Sequence, residues 1–332
     1  MNFGIVGCGL IGTKRAKSLA SLPASPGHRL VAVADLDMKK AQSLAEAYPG
    51  CQAMKGWREV ARHTDIQAVL VSTTHDQLVP VGLVAATHGK HLLLEKPGAR
   101  QASELRPLAA LASKKKLTVK VGFNHRFHPA ASKAKEILAS GVVGPLLYIR
   151  ATYGHGGRPG YQKEWRADKK ISGGGELIDQ GMHLIDLSRM FLGELNHVSS
   201  FIPTYFWKMK VEDNAFMLLK TKKGQAAWLH ASWTDWKNQF SFEIFGCDAK
   251  LHWQGLGGSY GPERLVHYQM KPEMGPPDVF SYEFPGVDRS FELEMQDFVD
   301  SVASKRRPQG DIQDALAALT VVDAVYKKGG KP

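Results

Sequence analysis

Asn2-Phe3-Gly4-Ile5-Val6-Gly7-Cys8-Gly9-Leu10-Ile11-Gly12 decides the fold. Residues 2–6 are a short apolar run of strand type, the glycines follow at once, and a helical pattern runs from Thr13 to about Leu22. A G-x-G-x-x-G set between a strand and a helix reads as a dinucleotide-binding turn. Gly7 allows the tight turn, Gly9 lets the backbone approach a pyrophosphate, and Gly12 lets helix and strand pack closely. Leu10 and Ile11 complete that turn. The helix N-terminus then offers unpaired N–H groups and the positive end of its dipole to phosphate.

Outward from this turn, Arg29–Ala34 reads as a second strand ending in Asp35. A carboxylate about twenty residues past the glycines can bond the ribose hydroxyls of NAD. It would also repel the 2′-phosphate of NADP, although Lys39 and Lys40 could reach such a phosphate. The plain alternative for Asp35 is an N-cap on the helix that follows. The alternation continues with helices at Met38–Ala47, Trp57–Arg62, Leu78–His88 and Ser103–Ser113. Strands are expected at Cys51–Met54, Ala68–Ser72, His91–Leu94 and Thr118–Gly122. Such alternation argues for an α/β fold with a doubly wound parallel sheet. Ligands gather at the carboxyl ends of its strands, where Thr73-Thr74-His75 and Glu95-Lys96-Pro97 fall. Lys96 at a strand end could polarise a substrate oxygen or share in proton transfer. Alone, it reads equally as a surface lysine in a turn stopped by Pro97.

A second dense stretch is Ser172-Gly-Gly-Gly-Glu-Leu-Ile-Asp-Gln-Gly-Met-His-Leu-Ile-Asp186. Its three glycines would let the backbone approach a ligand. A helical pattern follows, on which Asp179, His183 and Asp186 share one face. A carboxylate beside an imidazole sets the tautomer and raises the basicity of a general acid/base. The bland reading is a glycine turn before a surface helix with an ordinary Asp–His pair.

The glycine turn, Glu95-Lys96-Pro97 and Gly173-Gly174-Gly175…Asp179…His183 together resemble the glucose–fructose oxidoreductase / inositol dehydrogenase / MocA family. Phe123-Asn124-His125-Arg126-Phe127-His128-Pro129 resembles the family's entry into its second domain, and Trp165-Arg166 a pair that contacts the nicotinamide end. The resemblance implies a Rossmann domain over residues 1–123. Over residues 124–332 it implies an α/β substrate and oligomerisation domain with a large, mostly antiparallel sheet. One face of that sheet would close over the nicotinamide and the other would make a homodimer or homotetramer. Lys96, Asp179 and His183 occupy the family's catalytic positions, and the Lys96–Pro97 peptide is expected to be cis. Cofactor contacts are expected from Gly7, Gly9, Leu10, Ile11, Gly12, Asp35, Thr73, Thr74, His75, Glu95, Lys96, Trp165 and Arg166. Substrate contacts are expected from Lys96, Arg126, Tyr153, Arg158, Asp179 and His183. Two departures stand out: Thr73-Thr74-His75-Asp76 replaces the family's Thr-Pro-Asn, and His125 precedes Arg126 in place of a more frequent arginine.

In the second half, Leu146–Tyr153 reads as a strand leading into Gly154-His155-Gly156-Gly157-Arg158-Pro159-Gly160, too rich in Gly and Pro for regular structure. Arg158, Lys163, Arg166, Lys169 and Lys170 make this region basic, which would favour an anionic substrate. Phe201–Trp253 is strand-like and aromatic, as in Phe240-Ser241-Phe242-Glu243-Ile244-Phe245, and fits a sheet with one buried face. Gly255–Gly261 is a further glycine loop with Tyr260 at its tip. Phe291–Val302 and Ile312–Tyr326 read as amphipathic helices, and the tail 327–332 is expected to fray.

The chain has 332 residues, enough for two domains, and a formal net charge of +11. The charge is spread along the chain with no nucleic-acid motif, so no nucleic-acid partner is expected. No stretch has the apolar length of a membrane span. No basic segment precedes the first apolar run, and the three cysteines are far apart. These features fit a cytoplasmic protein without disulfides. His125, His128, His155 and His183 lack partners at metal-ligand spacing, so no metal is expected. The expectation is an NAD-dependent oxidoreductase acting on a sugar hydroxyl or ketone, with a nucleotide-activated sugar preferred and NADP the less favoured cofactor. A free-sugar or inositol dehydrogenase and a non-catalytic dinucleotide sensor of the same fold are the alternatives.

Overall fold

The apolar runs of the first third become strands and the patterned segments between them become helices. A computed structural model of the chain describes residues 1–22, 27–273 and 275–329. In order these are β1 (Asn2–Val6), α1 (Leu10–Ala20), β2 (Arg29–Ala34), α2 (Met38–Glu46), β3 (Gln52–Met54), α3 (Trp57–Arg62), β4 (Ala68–Val71), α4 (His75–Thr87), β5 (His91–Leu94), α5 (Ala102–Lys115) and β6 (Val119–Val121). The six strands lie in the order β3-β2-β1-β4-β5-β6. Every pair is parallel, the doubly wound sheet that the alternation predicts. All four residues of β4 are buried, as a strand covered on both faces requires. Two helices start three residues earlier than the apolar periodicity suggests. Backbone geometry opens them, at Gly9 for α1 and Thr74 for α4, before the first apolar position is reached.

The next elements are α6 (Pro129–Ala139), β7 (Leu146–Gly154), α7 (Lys169–Ser172), a π-helical turn at Leu177–Gly181, α8 (Met182–Leu192), β8 (Asn196–Phe201), β9 (Asn214–Lys220), β10 (Ala226–Ser232), β11 (Gln239–Gly246), β12 (Ala249–Gln254), β13 (Glu263–Gln269) and β14 (Asp278–Phe284). The eight strands lie in the order β14-β13-β12-β11-β7-β10-β9-β8. Only β7 and β10 pair in parallel; the other pairs are antiparallel. Alternation along the central strands divides the sheet. Ile149, Ala151 and Tyr153 of β7, Phe240 and Phe242 of β11, and Leu251 and Trp253 of β12 are buried, and α6 and α8 pack on this sheet. The other face presents Tyr148, Leu218 and Trp228, and Trp228 lies opposite both Arg150 and Leu218.

Two helices close the chain, α9 (Ser290–Ser304) and α10 (Ile312–Lys328). By contacts the described chain forms two units, Met1–Asn124 with Ser290–Leu316 and His125–Arg289 with Ala317–Pro332. α9 joins the first unit because Met295, Phe298 and Val299 complete the core built by Phe3, Ile5, Leu70 and Leu93. Lys120 fixes the same return, reaching Asp297 at 2.8 Å while fully buried. Lys327 and Lys328 belong to α10; residues 330–332 lie outside the described residues. No helix among the described residues is long and apolar enough to cross a membrane.

Candidate functional site

Within the first unit, the three glycines of the turn differ in what surrounds them. Gly7 has φ +94°, and a Cβ there would lie 2.5 Å from the Ser72 carbonyl oxygen. At Gly12 a Cβ would lie 1.9 Å from the Gly7 carbonyl oxygen, so only glycine lets α1 sit this close to β1. Gly9 differs: a Cβ would meet nothing within 4 Å. No protein atom requires glycine there, so the open space over Gly9 fits close approach of a ligand. No side chain caps α1, whose first turn carries no acidic residue. Leu10 and Ile11 begin that turn, and Leu10 is largely exposed.

Asp35 stands beside this turn at the end of β2. One oxygen accepts the Cys8 N–H at 2.7 Å and the other accepts the Asp37 N–H at 2.8 Å. The cap of α2 is Asp37, which accepts from Lys39. Asp35 is therefore not the cap of α2, and its carboxylate ties the glycine turn to the end of β2. At the end of β4, Thr73 Oγ1 donates to the Thr74 carbonyl, and Thr74 precedes α4. His75 is the first residue of that helix and is buried rather than in a loop.

At the end of β5 the Lys96–Pro97 peptide is cis. Lys96 is half-buried. Glu95 is held by Arg15 of α1 at 2.6 Å, and Arg15 is held in turn by Glu294 of α9 at 2.5 Å. Burial works against the fully enclosed Arg15 guanidinium, but the two carboxylates outweigh it and keep its pKa above the ordinary arginine value. The sequence reading missed this triad, because its members are 80 and 279 residues from Arg15.

In the second unit, Gly174 and Gly175 of the triple glycine serve packing. A Cβ at Gly174 would lie 1.8 Å from the Tyr326 hydroxyl, and one at Gly175 would lie 1.9 Å from the Glu212 carbonyl oxygen. Glu212 is buried and accepts from the N–H groups of Gly175 and Leu177 and from the Tyr326 hydroxyl. Burial nonetheless raises its pKa, against the pull of those donors. Neither Glu212 nor Tyr326 shows any local motif that would have found it.

The chain then enters the π-helical turn carrying Asp179 and passes into α8 carrying His183. Such bulges recur at functional sites. His183 is buried, its ring 3.9 Å from that of His125 and 6.1 Å from Tyr153, edge-on to the latter. Asp179 is engaged by Arg166 Nε at 3.3 Å. Burial of Arg166 is outweighed by Asp179, so its guanidinium is held charged. Asp186 meets a partner that helical spacing did not suggest. Its two oxygens accept from Nε and Nη2 of Arg126 at 2.8 and 2.6 Å. Arg126, expected on the substrate side, is thus drawn into a buried bidentate ion pair.

Arg158 is exposed and pairs with Glu164 at 2.7 Å. Arg166 also lies 3.7 Å from Glu164 and stacks over Trp165. The cations of the glycine-rich loop are therefore partly neutralised by carboxylates of the same segment. Tyr153 is buried against His125, His183, Phe240 and Tyr260. Tyr260 bounds a cavity of about 650 Å³ shared with Phe240, Gln239, Gln254 and Arg264. Among the described residues no group of three or more His, Cys, Asp or Glu is placed to hold a metal.

The chain is 28% identical over 233 residues to levoglucosan dehydrogenase of Pseudarthrobacter phenanthrenivorans, a match covering 68% of this chain and 59% of that protein. It is 29% identical over 234 residues to mouse trans-1,2-dihydrobenzene-1,2-diol dehydrogenase, covering 70% of this chain and 68% of the other. The match thus spans less than two thirds of the first of these relatives. A solved levoglucosan dehydrogenase in complex with NADH and levoglucosan has the same fold, with TM-score 0.90 at 21% identity over 99% of this chain and 96% of that one. So does UDP-N-acetylglucosamine 3-dehydrogenase from Acidithiobacillus ferrooxidans, with TM-score 0.81 at 20% identity over 99% and 98%. Residues 1–123 match the oxidoreductase family with an NAD-binding Rossmann fold, and residues 131–252 match the GFO/IDH/MocA C-terminal domain. The chain belongs to the GFO/IDH/MocA oxidoreductase family, and its residues 1–123 are that family's NAD-binding Rossmann domain.

Proposed function

We propose that the protein is an NAD-dependent oxidoreductase that interconverts a ring hydroxyl and a ketone on a small, neutral sugar or cyclic polyol. The observation that supports it is the match of residues 1–123 to the NAD-binding Rossmann family, in a chain whose Lys96, Asp179 and His183 stand where the resemblance puts the catalytic groups. The residues present fit the cofactor: open space over Gly9, an uncapped α1 and the Asp35 carboxylate beside them. When bound, NAD accepts hydride in oxidation and returns it in reduction. His183 takes the proton of the reacting hydroxyl. Asp179, held by Arg166, favours the imidazolium that results, and Lys96 stabilises negative charge developing on the oxygen.

Neutrality of the substrate is supported by the pairing of Arg158 and Arg166 with Glu164 and Asp179. The names of the levoglucosan and diol dehydrogenases point the same way. A nucleotide-activated sugar is the second reading, supported by the net charge of +11 and by the likeness to a UDP-sugar dehydrogenase. Nicotinamide absorbance, followed with NAD and a panel of anhydrosugars, free hexoses, inositols and UDP-, GDP- and dTDP-sugars, separates them. Reduction of NAD by a neutral member is the expected result. Reduction by a sugar nucleotide alone would establish the second reading. NAD binding without turnover across this panel and the corresponding ketones would leave the non-catalytic sensor.

The open sheet face supports a homo-oligomer. It combines exposed Tyr148, Leu218 and Trp228 with the charged row Arg150–Glu243–Lys250, a mixture that can complement itself across a two-fold axis. Light scattering is expected to give a dimer or tetramer, and Trp228→Asp a smaller species. A wild-type monomer at micromolar concentration would contradict this. The free thiols of Cys8, Cys51 and Cys247 fit a cytoplasmic setting.

A further inference from the structure

Glu212-Asp213-Asn214, where the chain enters β9, are three consecutive polar residues that are all buried. Each holds a different segment. Asp213 accepts from the N–H groups of Tyr205, Phe206 and Trp207 at 2.8, 2.8 and 3.0 Å. Asn214 donates its Nδ2 hydrogen to Thr234 Oγ1 at 2.9 Å. Glu212 reaches the segment that carries Asp179 and His183. Its Oε1 accepts from the N–H groups of Gly175 at 2.9 Å and Leu177 at 3.2 Å, and its carbonyl accepts the Glu176 N–H at 3.0 Å.

The first N–H groups of a helix have no acceptor within it. The residue before the π-helical turn does not cap it with its side chain, and Glu212 supplies acceptors for three successive N–H groups at its start. A carboxylate suits this place, because a charged acceptor strengthens each bond and the start of a helix is its positive end. Tyr326 of α10 donates its hydroxyl hydrogen to the same Oε1 at 2.7 Å, which fixes how the carboxylate lies. Gly174 and Gly175 leave the room for both, since a Cβ at either would strike the Tyr326 hydroxyl or the Glu212 backbone. The Asp179 N–H in turn donates to the Gly175 carbonyl at 3.1 Å. Gly175 thus joins the anchor to Asp179, and His183 follows four residues later in α8.

We propose that Glu212 and Tyr326 are positioning residues for the reaction: they fix the start of the π-helical turn and, through it, the places of Asp179 and His183. The π-helix is a rare winding, and rewinding to the α form would swing Asp179 relative to His183. The anchor at Gly175–Leu177 opposes that change. The inference rests on the oxidoreductase reading and deepens it, because α10 at the far end of the chain becomes part of what prepares the acid/base pair.

Three variants test this. Glu212→Met keeps the length of the side chain and removes its acceptor. It is expected to lower kcat about a hundredfold, the cost of displacing a catalytic group by about 1 Å, with substrate KM and NADH affinity within a few-fold. Glu212→Gln restores an acceptor oxygen and should recover most of that loss. Tyr326→Phe leaves every acceptor and backbone donor in place, which covers the case of a methionine variant that does not fold. It should lower kcat roughly tenfold, as for loss of one hydrogen bond. Rates are taken per NADH-binding site from fluorescence titration, so a role in folding alone would leave kcat per site unchanged. That result, in Tyr326→Phe or in a folded Glu212→Met, overturns the proposal. Amide hydrogen exchange of the NADH complexes makes the check without turnover: peptides spanning residues 173–183 should exchange faster in the variants, and the others should not. A wild type inactive across the panel, with that local loosening present, sinks the oxidoreductase reading and keeps Glu212 and Tyr326 as anchors of the turn. Unchanged exchange at 173–183 overturns the anchor.

Discussion

Lys96→Ala and His183→Asn are each expected to lower kcat by about a hundred- to ten-thousand-fold, the usual contribution of a positioned acid or base. NAD affinity should stay within a few-fold. The separation follows from where the groups stand. The features of the first unit that fit the cofactor are the Gly7–Gly12 turn, the start of α1 and Asp35, which accepts the Cys8 N–H. Lys96 lies on a different strand end, and His183 lies in the second unit. Asparagine at 183 keeps a polar group of similar reach among His125 and Tyr153, so lost turnover would report chemistry rather than packing. Steady-state rates from nicotinamide absorbance, with NAD binding followed by protein fluorescence, make the check. Activity within a few-fold of wild type in either variant would remove that residue from the mechanism.

Asp186→Ala should destabilise the protein by about 3–5 kcal/mol, because it leaves the Arg126 guanidinium buried without its partner. Both side chains are almost fully enclosed, and the pair is bidentate. The double variant Arg126→Met, Asp186→Leu should recover most of that loss, since a buried ion pair replaced by apolar groups of similar volume is often neutral or better. Urea denaturation of the three proteins decides the matter. If Asp186→Ala instead left stability untouched and abolished turnover, Asp186 would be the carboxylate partner of His183 that helical spacing alone suggests.

This pair shows what a sequence leaves open. Asp179, His183 and Asp186 look equivalent along the chain, at spacings that place all three on one helical face. The π-helical turn changes the winding across residues 177–181, and Arg126, sixty residues away, takes both oxygens of Asp186. Neither effect has a local signature. The same holds for Gly174 and Gly175, whose cause lies in Tyr326 and Glu212. The loop cations also looked available to an anionic ligand until Glu164 and Asp179 were found beside two of them.

What the sequence determined alone was local or periodic. The strand–turn–helix at Gly7–Gly12 is a local pattern, and Gly12 needs glycine because the Gly7 carbonyl lies against it. The β/α alternation specifies a parallel sheet because a crossover helix must follow each strand. Period-two aromatics over Phe240–Phe245 specify a half-buried antiparallel strand because successive side chains point to opposite faces. The cis peptide at Lys96–Pro97 was expected from family resemblance and is present. What only the tertiary structure decided was which charges and donors are already spoken for. Arg15 with Glu95 and Glu294, Arg126 with Asp186, and Tyr260 with Gln180 join residues 60 to 279 positions apart. Burial makes each such pairing costly to leave unmade, and burial is set by the packing of distant segments rather than by neighbours in the chain.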